Sequence, residues 1–306
     1  SQRRRILRRA RGFVPDRVRI AADSEPVLAT GGEMKTTFCL VAKGEAHISQ
    51  HIGELRDYAA YTHYRAEIGR WEELLRVKPS LVAHDLHPSY LSTQYAHERE
   101  GSRLIGVQHH HAHVAGVMAE NGLHNPVIGV ALDGTGYGPD GTVWGGEIML
   151  ADRQGFERLA HFKTYPLPGG DRAIEEPWRM AVSVARSEDL PWRPQERGPA
   201  AAAAEVERLL DFSLNCPSTS SAGRLFDAVA AMLDLCAIAD YEAQAAIRLE
   251  AVADKGVKDA YPYLVRREAN PWILDFGPTL RSLLGDKAMG LGVGTIAARF
   301  HRTVAA

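Results

Sequence analysis

The sequence predicts an α/β protein of two lobes, and three observations carry that expectation. Strand-forming and helical runs alternate over the first 125 residues, the same grammar restarts near Val127, and beyond Asp171 the chain turns mainly helical. The first lobe is placed at residues 21–125 and the second at 126–306. Residues 1–20 read as a separate tail, a charged piece followed by Gly12-Phe13-Val14-Pro15.

In the first lobe, Lys35–Val41 and Glu45–Gln50 flank Lys43-Gly44 as a hairpin, with Gly31-Gly32 just ahead. Apolar residues at helical spacing predict a helix from Tyr58 to Arg76. A strand over Ser80–His84, a helix near Ser89–Arg99 and a strand over Leu104–Val107 follow. The second lobe opens on the apolar run Val127–Leu132, which ends in the turn Asp133-Gly134-Thr135-Gly136. A second turn over Tyr137–Gly141 leads into a strand over Thr142–Leu150, and a third strand around Arg158–Phe162 completes a meander. Helices are expected near Ala200–Leu210, Arg224–Leu235 and Ala243–Ala253. Two lobes that each open on a strand hairpin suggest duplicated ribonuclease-H-like units with a cleft between them.

With 306 residues, 45% hydrophobic and 24% charged, the chain has the composition of a globular protein large enough for two cores. A formal charge of −2 gives no global attraction to nucleic acid or to an anionic membrane, so neither is expected as a partner. The basic run Arg3, Arg4, Arg5, Arg8, Arg9 and Arg11 reads as a solvated terminal face. No apolar run nears the roughly 20 residues that span a bilayer, and no secretory signal is visible, so a cytoplasmic protein is expected. Cys39, Cys216 and Cys236 are widely spaced and form no CxxC pair, which argues for reduced thiols over disulfides or a cysteine metal site.

The densest chemical signal is His109-His110-His111-Ala112-His113. On a helix, His109 and His113 lie one turn apart on one face and can ligate one ion, with Asp133 as an oxygen ligand. Two imidazoles and a carboxylate suit zinc or iron. The plainer alternative is that the histidines hydrogen-bond around a helix start. Gly31-Gly32, Gly134-Thr135-Gly136, Gly145-Gly146 and Gly169-Gly170 can let backbone amides approach phosphate oxygens, although paired glycines are commonly just turns. The stretch Ser220-Ser221-Ala222-Gly223-Arg224-Leu225-Phe226-Asp227 presents a capped helix start to an anion, and Asp227 could bond ribose hydroxyls. Its plainer reading is an Arg224–Asp227 pair at i,i+3.

Several long motifs resemble one family. They are His109–His113, Leu132-Asp-Gly-Thr-Gly-Tyr-Gly-Pro-Asp-Gly141, Trp144-Gly-Gly-Glu147, Leu167-Pro-Gly-Gly-Asp171 with Pro177-Trp178-Arg179, and Ser220–Val229. Ser49–Gly53 and His87-Pro88-Ser89-Tyr90 with Ser92-Thr93 add to them. Together they resemble HypF, the carbamoyltransferase of NiFe-hydrogenase maturation, over nearly the whole chain. The resemblance implies two lobes of the actin-like ATPase superfamily, related to the tRNA threonylcarbamoyl transferases, the second rich in inserted helices. Relatives carry an acylphosphatase domain, zinc fingers and a YrdC-like domain upstream, and residues 1–20 resemble the end of the last of these.

The resemblance further implies carbamoyl transfer from carbamoyl adenylate, made with ATP, to the C-terminal cysteine of a HypE-type acceptor. His109, His113 and Asp133 would hold the metal and form the catalytic centre, Gly134, Thr135, Gly136, Gly145 and Gly146 would line the nucleotide, and Asp227 would face the ribose. Glu242 falls in a segment, Tyr241-Glu242-Ala243-Gln244-Ala245-Ala246, that is also expected at the nucleotide. Two departures stand out. Ala243 replaces the family's glycine, and a further metal-binding aspartate is expected beyond Ala306, so that the second lobe reads as incomplete at its C-terminus. The alternatives are a metal- and nucleotide-binding module without turnover, a small-molecule O-carbamoyltransferase, or transfer to tRNA.

Overall fold

The computed structural model describes residue 14 and residues 17–20, 25–194 and 200–306. The basic run and most of the expected N-terminal tail lie outside the described residues, as does the boundary at residue 21. Two compact units divide the chain, Ser1–Ala112 and His113–Ala306. Two sheets with helices between their strands give the α/β class expected from the sequence.

In the first unit the chain runs through β1 (Arg17–Arg19), β2 (Val27–Ala29), β3 (Cys39–Ala42), β4 (Glu45–Ile48), α1 (Tyr58–Leu75), β5 (Leu81–Asp85), α2 (Leu91–Glu98) and β6 (Arg103–Val107), and then begins α3 (His109–Glu120). The sheet order is β1-β4-β3-β2-β5-β6. The β2–β3–β4 meander is antiparallel, while β5 and β6 join β2 in parallel through helical crossovers, the expected ribonuclease-H-like arrangement. Lys43 and Gly44 both take left-handed backbone (φ 52° and 73°), which is the twist a two-residue hairpin loop requires.

The strand expected from Lys35 starts only at Cys39. Lys35 is itself left-handed (φ 51°), and Thr36 turns aside to bridge Gly53 while its hydroxyl donates to the carbonyls of Gly32 and Glu33. Asp57 caps α1 by accepting from the Ala59 and Ala60 amides. Tyr64, Ile68 and Trp71 form the helix's buried face and close on Leu28, Phe38, Leu40 and Val82. Phe38 meets both Tyr64 and Trp71 edge-on. No side chain of its own caps α2; instead the buried Glu33 carboxylate accepts from the Leu91 amide at 2.7 Å.

In the second unit α3 leads to β7 (Val127–Tyr137), β8 (Val143–Ala151), β9 (Phe156–Phe162), β10 (Tyr165–Pro166), α4 (Arg172–Glu175), α5 (Pro177–Ser187), α6 (Ala200–Asp211), β11 (Ser218–Thr219) and α7 (Ala222–Met232). It continues through α8 (Gln244–Val252), β12 (Leu264–Arg266), β13 (Trp272–Asp275), α9 (Gly277–Ala288) and α10 (Val293–Ala305). The sheet runs β10-β11-β8-β9-β13-β12, with β7 paired antiparallel to β8. The buried faces of α5 and α7 pack with Leu249, Leu280, Leu283, Ile296 and Phe300 from α8, α9 and α10 in the larger core.

One expectation is corrected here. Asp133-Gly134-Thr135-Gly136 does not end its strand: it lies inside β7, where the register with β8 shifts between Leu132 and Gly136, so the segment is a bulge. Within the mainly helical C-terminal part, β13 adds to the sheet parallel to β9 and carries β12 with it. Gly145 and Gly146 sit within β8, inside the strand expected over Thr142–Leu150.

Ala243, at the N-cap of α8, holds φ at 61°, a left-handed conformation that costs an alanine about 1 kcal/mol and a glycine almost nothing. Ala243→Gly should therefore raise stability by about 0.5–1 kcal/mol in denaturant unfolding. An unchanged or lower midpoint would show that the strain is relieved elsewhere.

Candidate metal and nucleotide site

The four histidines divide by helix face. Gln108 stands at the start of α3, its Oε1 accepting from the His111 amide at 2.8 Å and its Nε2 lying 3.1 Å from His110 Nδ1. His110 and His111 are buried at the start of this helix. His109 faces elsewhere. Its Nδ1 lies 2.7 Å from Oδ2 of Asp85, the last residue of β5. Asp85 is itself fastened, with Oδ1 accepting from the His87 amide at 2.8 Å and its carbonyl accepting from the Thr93 hydroxyl at 3.1 Å. His113 follows His109 by one turn of the same helix.

In the second unit, Val114 and Met118 of α3 pack on Ala131, Met149 and Ala151. Gly129 makes that seat, since a Cβ there would meet the Val114 side chain at 2.5 Å. The helix so placed brings His113 Nε2 to 3.8 Å from Asp133 Oδ2, while Asp133 Oδ1 accepts from the Gly134 amide at 2.6 Å. Two ligands of one divalent ion, each bonded at about 2.0–2.2 Å, stand roughly 3–4 Å apart. The His113–Asp133 pair fits that separation, and its nitrogen and oxygen donors suit zinc or iron.

The bulge bearing Asp133 is held by two close backbone approaches and a serine hydroxyl. A Cβ on Gly145 (φ 157°) would meet the Asp133 carbonyl oxygen at 2.5 Å, and one on Gly223 would meet Gly134 Cα at 2.8 Å. Ser221, the N-cap of α7, donates its hydroxyl to the carbonyls of Asp133 and Gly134, both at 2.8 Å, and accepts from the Arg224 amide. Beneath them lies Glu147, with 0% exposure. It accepts from Ser220 Oγ at 2.5 Å, Arg158 Nε at 2.6 Å, and the Gly145 and Gly146 amides at 3.2 and 3.3 Å.

The helix end thus stands against Gly134, and Arg224 adds a cation there: its Nη2 would lie 3.3 Å from a Cβ on that glycine. Arg224 Nη1 is 2.9 Å from Asp227 Oδ2, the i,i+3 pair anticipated as the plain alternative. Burial pushes the Asp227 carboxyl up to about 6, against the opposing pull of Arg224.

Of the residues singled out in the sequence, the structure places His113 beside Asp133, and Gly134 against Arg224, the partner of Asp227. Thr135 and Gly136 continue the bulge. Gly145 and Gly146 differ from expectation, because their amides turn toward Glu147 and their missing side chains admit Asp133 and Ser220. Glu242 is exposed, one residue ahead of the α8 cap. Sequence reasoning passed over Asp85 and the fully buried Glu147 as working residues, and it saw Ser221 only within a capped helix start. Glu147 carried a signal, an acidic residue directly after paired glycines.

Two family models cover the chain: the "HypF Kae1-like domain" matches residues 22–120, and the "Carbamoyltransferase, Kae1-like Domain, second subdomain" matches residues 129–306. Carbamoyltransferase HypF2 of Cupriavidus necator is 39% identical over 98% of this chain and 40% of its own length. Carbamoyltransferase HypF of Rhizobium leguminosarum is 44% identical over 81% of this chain and 32% of its own. A carbamoyltransferase HypF homolog of Cupriavidus necator is 40% identical over 93% of this chain and 75% of its own length. A crystal structure of full-length HypF in a phosphate- and nucleotide-bound form superposes with a TM-score of 0.93 at 40% identity, covering 98% of this chain and 48% of that one. The chain thus spans less than half the length of most of the relatives named here. Matched by a family model over more than half its residues and by a 40% identical relative over most of that relative's length, the chain belongs to the HypF carbamoyltransferase family.

Proposed function

We propose that this chain carries the carbamoyl-transfer site of a HypF-type protein, passing a carbamoyl group from carbamoyl adenylate to the C-terminal cysteine of a HypE-type acceptor. The observation that carries the proposal is the approach of His113 to Asp133 at 3.8 Å, beside a bulge clamped to the N-terminus of α7. His109, His113 and Asp133 would hold a divalent metal, zinc or iron. When bound, such an ion supplies Lewis-acid polarisation and a template for phosphate oxygens.

The remaining roles belong to the chain's own groups. The α7 N-terminus and Arg224 set positive potential beside Gly134, where an adenylate phosphate would lie along Gly134-Thr135-Gly136. Gly145 and Gly146 contribute by letting β8 approach the bulge. Asp227, ionised above about pH 6, offers oxygen atoms to ribose hydroxyls. In the transfer, a thiolate sulfur bonds to the carbamoyl carbon, the bond from that carbon to the phosphate oxygen breaks, and AMP leaves with the electron pair. The bound nucleotide in the HypF crystal structure of similar fold supports this reading.

A single-turnover reaction with labelled carbamoyl adenylate and a HypE-type acceptor tests the proposal. Label on the acceptor's terminal cysteine is the expected result, and nucleotide binding without transfer would favour a binding module instead. In the same reaction His113→Ala should lose metal and transfer together; a variant retaining full metal content would remove His113 from the ligand set.

Asp227 makes a pH prediction. Its folded value of about 6 lies above the ordinary 3.8, so the folded state holds the proton more tightly than the unfolded chain. Stability from this group is therefore full below about pH 4 and is lost as pH rises through 6, a difference of about 3 kcal/mol. Asp227→Asn should flatten that part of the pH–stability curve, as read by denaturant unfolding between pH 4 and 7.

A further inference from the structure

Asp85 belongs to no motif singled out in the sequence, yet it makes a close contact to the histidine cluster. Its Oδ2 lies 2.7 Å from His109 Nδ1, and the carboxylate is almost wholly shielded, with 7% of the side chain exposed against 19% for His109. The residue is anchored at both side chain and backbone. Oδ1 of the carboxylate accepts the His87 amide, while the Asp85 main-chain carbonyl accepts the Thr93 hydroxyl and lies 2.7 Å from His84 Nδ1. Thr93 is buried on α2 and Asp85 ends β5, so the backbone that carries the carboxylate is tied to the sheet and to the helix packed on it.

We infer that Asp85 is the positioning residue for His109: by accepting the Nδ1 proton it fixes the ring's tautomer and orientation, and makes Nε2 the nitrogen that binds metal. This rests on the metal-site reading above. A carboxylate only accepts hydrogen bonds, so a contact of 2.7 Å places the proton on Nδ1. The lone pair then resides on Nε2, and the neighbouring negative charge raises that nitrogen's basicity. His109 is the first residue of α3, and the carboxylate that contacts its ring comes from outside the helix, from the end of β5. That contact also explains why this histidine differs from His110, whose Nδ1 faces the neutral Gln108 amide.

Asp85→Asn separates orientation from bulk. Asparagine keeps an oxygen for the His87 amide, but it presents an N–H to His109 Nδ1, which draws the lone pair to Nδ1 and places the proton on Nε2. The tautomer reverses while the fold contacts remain, the outcome known for an aspartate-to-asparagine change behind a catalytic histidine. The expected result is Zn(II) affinity about 10–100-fold weaker by competition with a chromophoric chelator. In the metal-free protein, long-range proton–nitrogen NMR should show His109 switching from the Nδ1–H to the Nε2–H form, with an unchanged unfolding midpoint.

Two further variants divide the outcomes. His113→Ala reports on the metal site itself: wild-type Zn(II) affinity in that variant overturns the metal reading and this inference with it. Weak binding in His113→Ala together with wild-type affinity in Asp85→Asn overturns the inference alone. In a His109→Ala background, Asp85→Asn should cost no further affinity, and an equal loss in both backgrounds would make Asp85 merely structural. Should Asp85→Asn fail to fold, the wild-type spectrum decides, since an Nε2–H tautomer of His109 in the metal-free protein overturns the assignment.

Discussion

The second unit's site depends on one packing constraint, the approach of three backbone segments closer than side chains permit. The β7 bulge at Asp133-Gly134, the β8 pair Gly145-Gly146 and the first turn of α7 meet where three glycines have no Cβ to hold them apart. Close approach alone would bury unpaired polar groups, and the hydrogen bonds answer that cost. Ser221 donates to both bulge carbonyls, and Glu147 gathers two amides, a hydroxyl and a guanidinium. A fully buried carboxylate is tolerable here because four donors surround it, one of them charged. Arg158 Cζ in turn lies over the Trp144 ring, 3.8 Å from its centroid, a cation–π contact that helps hold the charge paired with Glu147.

This arrangement explains where charge is concentrated. Bringing α7 end-on to Gly134 directs the helix's unpaired amides and the Arg224 guanidinium toward one stretch of strand. Asp227 beside Arg224 tempers that field, while burial, opposed by Arg224, raises the carboxyl's proton affinity. An arginine alone in such surroundings would hold an anion strongly and release it slowly. Paired, it keeps its direction while part of its charge is offset, and in the proposed function an anionic group at Gly134 would compete with Asp227 for it.

Much of this was legible in the sequence, and the limits have physical causes. The hairpin at Lys43-Gly44, α1 and the crossover strands of the first unit followed from periodicity and turn chemistry, because their signals are local. The bulge was read as a turn because Asp-Gly-Thr-Gly has turn composition; only pairing with β8, ten or so residues on, shows that the strand continues. β13 was missed for a related reason. Trp272-Ile273-Leu274-Asp275 is four residues long, lies among helices, and finds its neighbour β9 more than a hundred residues earlier. Gly145 and Gly146 stand out in the sequence, but composition cannot tell a glycine that exposes an amide to a ligand from one that admits a neighbouring backbone.

The histidine cluster shows the same limit at the scale of single atoms. Helical spacing separates His109 and His113 from His110 and His111, and the structure gives the two pairs different surroundings as that spacing requires. Spacing cannot say which ring nitrogen of His109 carries a proton. That depends on Asp85, which is 24 residues away in sequence, on a strand rather than on the helix, and reaches the ring only through the parallel pairing of β5 with β6. In that pairing Asp85 stands opposite Val107, two residues before His109, so the sheet register delivers the carboxylate to the start of α3. A one-residue slip would turn Asp85 to the other face and leave His109 without this contact, while leaving every helical expectation for α3 intact. The chemistry of the cluster is thus set by sheet register as much as by the histidines that announce it.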